Sequence, residues 1–215
     1  MPRMESRRIE ELLRPFFQTP SGGREELPPS QLQQLSDYLA LLLQWNAKTN
    51  LTAVREPEDI VKRHFGESLF LAAAVRGEAL QTAIDVGSGA GFPGIPLKIY
   101  LPAIAVTLIE SQNKKATFLK EVIRKLTLTN INVFSGRAET LPQKADLVTL
   151  RAVERFEEIL PVAAGLVKPS GRLALLIGAG QSAALEKLLA GFKLRTVPVP
   201  HSRERVLVIA GRNQA

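Results

Sequence analysis

Hydrophobic positions near the start of the chain follow helical spacing and then stop. Residues 5–18 mix apolar and charged positions as an amphipathic helix does, and this pattern ends near Pro20. Residues 19–29, with the sequence TPSGGREELPP, are rich in Gly and Pro, the residues that most strongly interrupt regular structure. The pattern predicts one short N-terminal helix followed by a loop.

A longer leucine stripe begins after this loop. Ser30 is a suitable N-cap. The leucines of one helical face are Leu32, Leu35, Leu39, Leu42 and Leu43. Pro57 suits the first position of a further helix, where its missing N–H needs no partner, and residues 67–76 continue the helical pattern. The spacing therefore predicts that residues 1–80 form an N-terminal helical cap.

After residue 80, short apolar runs alternate with amphipathic stretches. The predicted strands are 82–86, 103–110, 131–135, 145–150, 171–178, 193–199 and 205–211. The predicted helices are 113–128, 156–167 and 182–190. This alternation is typical of a parallel sheet with helices on both faces. The last two strands are too close for a crossover, which predicts an antiparallel hairpin. Residues 81–215 are thus predicted to form an α/β core whose seven-stranded sheet is mostly parallel, with that hairpin at one edge.

Composition excludes several kinds of site. The 215 residues contain no cysteine, which excludes disulfides, cysteine metal ligands and a cysteine nucleophile. With two histidines, an all-histidine metal site is not expected, and we predict no metal. No apolar run has the length of a membrane helix, and the N-terminus lacks the apolar region of a signal peptide. These features predict a soluble cytoplasmic protein without a membrane partner.

The positive charge is concentrated toward the C-terminus. The formal net charge is +7, and residues 151–215 alone hold ten basic and five acidic residues. This excess suits a polyanionic partner such as nucleic acid, although solubility alone is an alternative reason for it. Cations on the predicted helix 113–128, together with Arg203 and Arg205, are candidate phosphate contacts or a solvated surface.

A glycine-rich turn, DVGSGAGFPGI, follows the first predicted strand and precedes a helix. In open α/β sheets such a turn lies where ligands bind, beyond the carboxyl ends of the strands. Its second half matches the dinucleotide signature GxGxxG, which alone is a weak signal. Asp85 precedes Gly87 and Gly89 as in the motif [DE]xGxGxG of S-adenosylmethionine-dependent methyltransferases, where the acid can receive the cofactor's ammonium group. Pro93 disfavours a helix N-terminus aimed at a pyrophosphate.

Two further carboxylates follow the second and third predicted strands. Glu110 is placed to accept hydrogen bonds from both ribose hydroxyls of a nucleoside, a device that NAD sites share. Glu139 is placed to frame an adenine. Their alternative interpretations are an exposed carboxylate at a strand end and a solvated side chain.

Residues that are absent restrict the methyl acceptor. Methylation of pyrimidine carbon 5 needs a cysteine nucleophile, and the chain has none. Enzymes that methylate exocyclic amines carry [DN]PP[YFW] after the fourth strand, where this chain reads Thr149-Leu-Arg-Ala-Val. The methyl acceptors that remain are a hydroxyl group or a substrate atom with an available lone pair. Guanine N7 has such a lone pair and no proton to remove, so positioning and a suitable field suffice.

Five sequence blocks occur in a diagnostic order. They are WNAKTNLT (45–52), RHFGESL (63–69), the glycine turn (85–95), RAE (137–139) and RAV (151–153). Together, over roughly residues 31–180, they closely resemble the GidB family of bacterial guanine-N7 methyltransferases of small-subunit ribosomal RNA. The resemblance implies a Rossmann-like methyltransferase fold and S-adenosylmethionine as cofactor. It also implies one target, guanosine 527, in the decoding-region loop of 16S rRNA, with the RNA or the small subunit as partner.

The resemblance also implies roles for individual residues. The family's cofactor site falls on Gly87, Phe92, Glu110, Ser111, Gln112, Ala138, Glu139 and Arg151. Arg151 is expected beside the cofactor, orienting the guanine or a phosphate; a surface ion pair with Glu154 is the alternative. Asn50 and His64 are candidates for the guanine pocket, or else a turn-capping residue and a partly buried histidine. The family often has Asp in place of Glu67 and Ser in place of Leu150.

Two other function classes remain open at this point. The GxGxxG match alone allows an NAD-dependent oxidoreductase. A methyltransferase fold without activity would be a non-catalytic RNA-binding factor in ribosome assembly. For the enzyme, a monomer is expected.

Overall fold

Helices form the first part of the chain. The computed structural model describes residues 4–17, 26–151 and 155–212. The N-terminal helices are α1 (Ser6–Leu13), α2 (Pro29–Thr49), α3 (Pro57–Ile60) and α4 (Glu67–Ala74). A 3-10 turn (Arg14–Phe17) follows α1, and a π-helical segment (Val61–Gly66) joins α3 to α4 without a break. None of the helices in the described ranges is long and apolar enough to cross a membrane.

Prolines set the ends of these helices. The α-helix predicted over 5–18 ends at Leu13, because Pro15 has no N–H for the next helical hydrogen bond. The prediction that Ser30 is the N-cap of α2 is wrong. Pro28 holds that position, and the helix begins at Pro29. Pro57 begins α3, as its preference for the first helical position predicts.

The sheet has seven strands, as predicted. They are β1 (Thr82–Val86), β2 (Ala105–Ile109), β3 (Ile131–Phe134), β4 (Ala145–Arg151), β5 (Val167–Gly178), β6 (Phe192–Pro198) and β7 (Arg205–Arg212). Their order is β3-β2-β1-β4-β5-β7-β6. Only β7 runs antiparallel to its neighbours, so β6 and β7 form the predicted edge hairpin. The predicted fold class is therefore confirmed.

The core helices are α5 (Gly94–Tyr100), α6 (Asn113–Lys125), α7 (Phe156–Gly165) and α8 (Leu185–Leu188). The helix predicted over 182–190 is shorter than predicted, because α8 spans only Leu185–Leu188 and a 3-10 segment (Ala179–Ala184) precedes it. Helix α6 ends at Lys125, earlier than the predicted residue 128, and Thr127 adopts a positive φ of 53°.

Two hydrophobic clusters cover the two faces of the sheet. On one face, α1, α2 and α4 share a cluster with Ala174 and Leu176 of β5 and with Leu207 and Ile209 of β7. On the other face, α7 and α8 pack on the alternate residues of the same strands. The division at residue 80 stays a prediction, because the hydrophobic core is continuous across it. We call the first of these faces the cap face.

Candidate functional site

The glycine turn is held to β1 by Asp85. The carboxylate Oδ2 accepts a hydrogen bond from Gly94 N at 3.1 Å, and Oδ1 accepts one from Thr149 Oγ1 at 2.7 Å. Asp85 is 1% exposed. A methyl group placed on Gly94 would lie 2.7 Å from Asp85 Oδ2, so only glycine permits this approach. The structure thus shows Asp85 fixing the turn, and its contact with a cofactor ammonium group stays a prediction.

Burial raises the pKa of Asp85 from its ordinary 3.8 to about 6, against the lowering effect of the hydrogen bonds from Thr149 and Gly94. Between these values the folded protein keeps a proton that the unfolded chain has released. The contribution of Asp85 to stability is therefore complete below pH 3.8 and is lost as pH rises through about 6.

We expect Asp85→Asn to remove this pH dependence while keeping the shape of the side chain. Relative to the variant, the wild type should lose roughly 2–3 kcal/mol of unfolding free energy between pH 4 and pH 8. Urea denaturation of both proteins at several pH values measures this difference. A constant difference across that range would show that folding does not raise the pKa of Asp85.

Glu110 lies immediately after β2, and its carboxylate organises the adjoining backbone. Its Oε2 accepts a hydrogen bond from Gly89 N at 2.9 Å, and its Oε1 accepts one from Gln112 N at 2.7 Å. Gly89 adopts a positive φ of 57°, a conformation that glycine allows without strain. This conformation is part of the turn that directs the Gly89 N–H to the Glu110 carboxylate. A carboxylate accepts about four hydrogen bonds, so Glu110 retains capacity for a ligand.

A cavity of about 330 Å³ opens at the carboxyl ends of β1 and β2. Its walls include five of the residues predicted to hold the cofactor: Gly87, Glu110, Ser111, Ala138 and Glu139. Glu139 is exposed, and its Oε1 accepts a long 3.4 Å hydrogen bond from Arg137, another wall residue. The volume lies within the range of small-molecule sites. The cavity and the capacity of Glu110 for further hydrogen bonds fit a nucleoside cofactor.

A second group of predicted residues lies outside the walls of this cavity and forms a buried polar network. His64, in the π segment, contacts Phe92 with ring centroids 4.8 Å apart. Arg151 Nη2 lies 2.9 Å from His64 Nδ1 and donates to the Arg63 carbonyl at 2.9 Å. Arg151 is the last residue of β4, not the residue after it. The structure therefore brings Arg151, His64 and Phe92 together.

Glu67 joins this network to the edge hairpin. Its carboxylate pairs with Arg151 at 3.1 Å and with Arg205 at 2.9 Å. The side chains of Glu67 and Arg151 are 4% and 8% exposed, so Arg151 is not in a surface ion pair. Glu154, its alternative partner, lies outside the described residues. Arg205 was predicted from the sequence as a candidate phosphate contact. In the structure it forms an ion pair with Glu67.

His64 is uncharged in this network. Arg151 can only donate, so His64 Nδ1 accepts and the ring proton is on Nε2, which lies 2.7 Å from Thr52 Oγ1. Burial first, and then the charges of Arg151, Arg63 and Arg205, lower the pKa of His64 to about 2. Near neutral pH His64 is therefore the neutral imidazole, and its contact with Arg151 is a hydrogen bond from the cation to the ring nitrogen.

We expect His64→Asn to lower kcat/KM without changing the shape of its pH profile. The Asn oxygen replaces Nδ1 as the acceptor for Arg151, but the contact with Thr52 is lost. Methyl-transfer rates from pH 5 to pH 9 for both proteins measure this. An inflection that is present in the wild type and missing in the variant would assign His64 an acid–base role.

Asn50 lies apart from the other predicted residues. It is the C-cap of α2 in a left-handed conformation, with φ of 48°, and its side chain is exposed. Its Oδ1 accepts a hydrogen bond from Arg55 Nη2 at 2.7 Å. These features are those of a turn-capping residue, and a role in the guanine pocket stays a prediction.

Three residues of the site, Thr149, Thr52 and Glu67, were not assigned a role from the sequence. Thr149 is directly opposite Asp85 in the pairing of β1 with β4, and it was a polar residue in an apolar strand. Glu67 was the one charged residue of the apolar helix ESLFLAAA. Both residues stand out in the sequence as polar residues in apolar segments. Their partners, Asp85 for Thr149 and Arg151 for Glu67, are shown only by the strand register and the packing of the helix. No group of three or more potential metal ligands occurs among the described residues.

Comparison of the sequence with known proteins identifies close relatives. The family model described as rRNA small subunit methyltransferase G matches residues 31–204. The Bacillus pumilus protein "Ribosomal RNA small subunit methyltransferase G" is 36% identical over 207 residues, covering 87% of this chain and 85% of that protein. The protein of that name from Stenotrophomonas maltophilia K279a is 41% identical over 162 residues, covering 74% and 75%.

Solved structures with the same fold are more distant in sequence. The ribosomal protein L11 methylase of Lactobacillus delbrueckii is 18% identical with a TM-score of 0.60, covering 71% of this chain and 80% of that one. M. jannaschii TYW2, solved in complex with AdoMet, is 20% identical with a TM-score of 0.55, covering 70% and 76%. These similarities show the methyltransferase fold.

The family match decides between the function classes that the sequence left open. It confirms the predicted resemblance, the enzyme class and S-adenosylmethionine as cofactor, and it removes the support for an NAD-dependent oxidoreductase. The glycine turn, Glu110 and Arg151 lie within the matched residues. The chain belongs to the GidB family, rRNA small subunit methyltransferase G.

Proposed function

We propose that this enzyme methylates N7 of a single guanine, guanosine 527, in the decoding-region loop of 16S rRNA. The observation that carries the proposal is the uncharged His64 beside the fixed Arg151: the one histidine of this network already accepts a hydrogen bond from a cation and is not available as a general base near neutral pH. Guanine N7 reacts through a lone pair and has no proton to lose, so it needs positioning and no base.

The cofactor's place in the proposal is the cavity bounded by the glycine turn. Glu110 would hold the ribose, Gly87 would allow close approach of the backbone, and Ala138 with Glu139 would border the base. When bound there, S-adenosylmethionine supplies an electrophilic methyl group. Asp85, Gly89 and Gln112 support this site from outside the cavity walls, through the turn and the Glu110 carboxylate.

Arg151 is proposed to orient the guanine through O6 or to hold an adjacent phosphate. N7 itself must stay free for the reaction, so the usual pairing of arginine with both O6 and N7 does not apply. The pKa of Arg151 is lowered by burial, while the charge of Glu67 opposes this effect and favours the cation. The carboxylates of Asp85 and Glu110 supply the negative field that a cationic methylated base needs.

The RNA-binding surface is proposed to include one face of α6. Helix α6 presents Lys114, Lys120, Arg124 and Lys125 as exposed cations. Arg124 is paired with Glu121 at 2.8 Å, and the three lysines are available for phosphates. The helix begins three residues after Glu110, so this surface adjoins the cofactor cavity. We propose that the enzyme acts in the cytoplasm as a monomer on the RNA or the small subunit.

The decisive experiment is transfer of a tritiated methyl group from S-adenosylmethionine to unmodified 16S rRNA and to small ribosomal subunits. Cleavage at N7-methylguanine then maps the labelled position. One labelled guanine in the decoding-region loop is expected. Cofactor binding without any transfer would favour a non-catalytic assembly factor, and a label elsewhere would contradict the proposed target.

A further inference from the structure

A basic groove lies on the cap face of the sheet, beside the edge hairpin. Its volume is about 610 Å³, and none of its wall residues borders the cofactor cavity. The walls are formed by Glu78, Arg172, Lys193, Leu194, Arg195, Ile209, Gly211 and Arg212. We call it the hairpin groove. Nothing in the proposed reaction uses these residues.

Strand register directs three cations into the hairpin groove. Lys193 and Arg195 of β6 pair with Gly211 and Ile209 of β7, and Gly211 in turn pairs with Arg172 of β5. Residues paired in this way share one face of a sheet. The side chain of Arg172 lies across Gly211, where an added methyl group would be 3.2–3.3 Å from it. The absence of a side chain at Gly211 therefore leaves space for the Arg172 side chain in the groove.

The charges of this groove are largely uncompensated. Arg172 lies 3.7 Å from Glu78, which is its only acidic neighbour in the described chain. Lys193 and Arg195 are both exposed, and neither forms an ion pair or a side-chain hydrogen bond with any described residue. In contrast, Lys168 on the neighbouring part of β5 pairs with Asp146 at 2.9 Å. The groove thus accounts for part of the C-terminal charge excess.

Charged residues on an edge strand also protect a sheet from pairing with another strand. That role explains Lys193 and Arg195 on β6, but it does not explain Arg172 on the interior strand β5. Protection of an edge strand also does not explain the concave shape of the groove, which is lined by residues of three strands, Ile209 of β7 among them. Cations two residues apart on a strand are separated by about 6–7 Å, which matches successive phosphates of one RNA strand.

We propose that the hairpin groove binds the phosphate backbone of the substrate RNA outside the target loop. The proposal rests on the proposed function and adds a second contact to it. The cofactor cavity is at the carboxyl ends of β1 and β2, whereas Arg172 is near the start of the paired part of β5. Strand rise and strand spacing place the two sites roughly 20 Å apart. Only an RNA that extends well beyond the loop reaches both.

The test compares the double variant Lys193→Glu/Arg195→Glu with the wild type on two RNAs. One RNA is a short stem-loop that carries the target guanine, and the other is a 16S fragment extended by about two helical turns. For the long RNA we expect the dissociation constant to rise at least 10-fold, with the salt dependence of log K reduced by about 1–2. The short RNA and the cofactor should bind as they do to the wild type.

The matched control is Arg14→Glu/Lys187→Glu, which changes the net charge equally at exposed positions outside the groove. Equal losses in both double variants, or no loss on the long RNA, would overturn the proposal. Unchanged thermal unfolding and cofactor affinity show that the variant is folded. RNA binding is measured without turnover, so failure of methyl transfer in the wild type would count against the proposed function alone.

Discussion

Glu67→Ala is expected to lower the free energy of unfolding by about 3–5 kcal/mol, because two cations lose their shared counter-ion in a buried site. Arg151 and Arg205 both contact this carboxylate, at 3.1 Å and 2.9 Å. Arg151 is 8% exposed, so water cannot replace the lost partner. Urea denaturation at neutral pH measures the change. Methyl transfer should also fall, because Arg151 loses the group that fixes its orientation.

A matched control separates burial from the loss of an ion pair. Glu58 also contacts two cations, Arg8 at 2.6 Å and Lys62 at 3.4 Å, but its side chain is 42% exposed. Glu58→Ala should therefore lower the free energy of unfolding far less than Glu67→Ala does. Adding Arg205→Met to Glu67→Ala should recover part of the lost stability by removing one unpaired charge. Equal, small effects of the two single variants would contradict a structural role for the Glu67 pairs.

Glu110→Ala is expected to weaken S-adenosylmethionine binding by about 100-fold or more, because charge-assisted hydrogen bonds contribute strongly and the turn loses its acceptor. Gly89 N and Gln112 N would both lose their partner, and the proposed ribose contact would disappear. Glu110→Gln should be intermediate, since its amide nitrogen opposes one of these N–H groups. Isothermal titration calorimetry of the free enzyme measures the affinity.

The control for Glu110 is Glu139, another carboxylate of the same cavity. The Glu139 side chain is 42% exposed, and its ion pair with Arg137 is long, at 3.4 Å. Glu139→Ala is therefore expected to change cofactor affinity less than about 10-fold. If the two alanine variants bound the cofactor equally well, Glu110 would have no special role in the cavity.

The sheet was predictable because its information is local. Each strand is a short apolar run with helices between, and the segment between β6 and β7 is too short for a crossover. Local propensity was less reliable where two signals compete. Ser30 is a good capping residue, but the Pro28–Pro29 pair already begins α2 two residues earlier. The 3-10 segment before α8 carries no distinct sequence signal.

The candidate site was predictable in part. The glycine turn and Glu110 follow from their position at strand ends, and the structure places them together. The pairing of Glu67 with Arg151 and Arg205 joins residues that are far apart in sequence, so no spacing could indicate it. The same holds for the state of His64, whose low pKa depends on burial and on arginines from three separate segments.

The position of β7 has a consequence for the order of assembly during protein synthesis. Strand β7 lies between β5 and β6, yet it leaves the ribosome after both. Until it emerges, β6 has no neighbouring strand, and the edge of β5 that β7 covers stays unpaired. Arg205 is also carried by β7, so the nascent Glu67 has one cationic partner instead of two. A chain stopped before β7 would expose the edge of β5, which is an interior strand in the complete sheet, and would leave β6 unpaired, which favours aggregation over a smaller folded product.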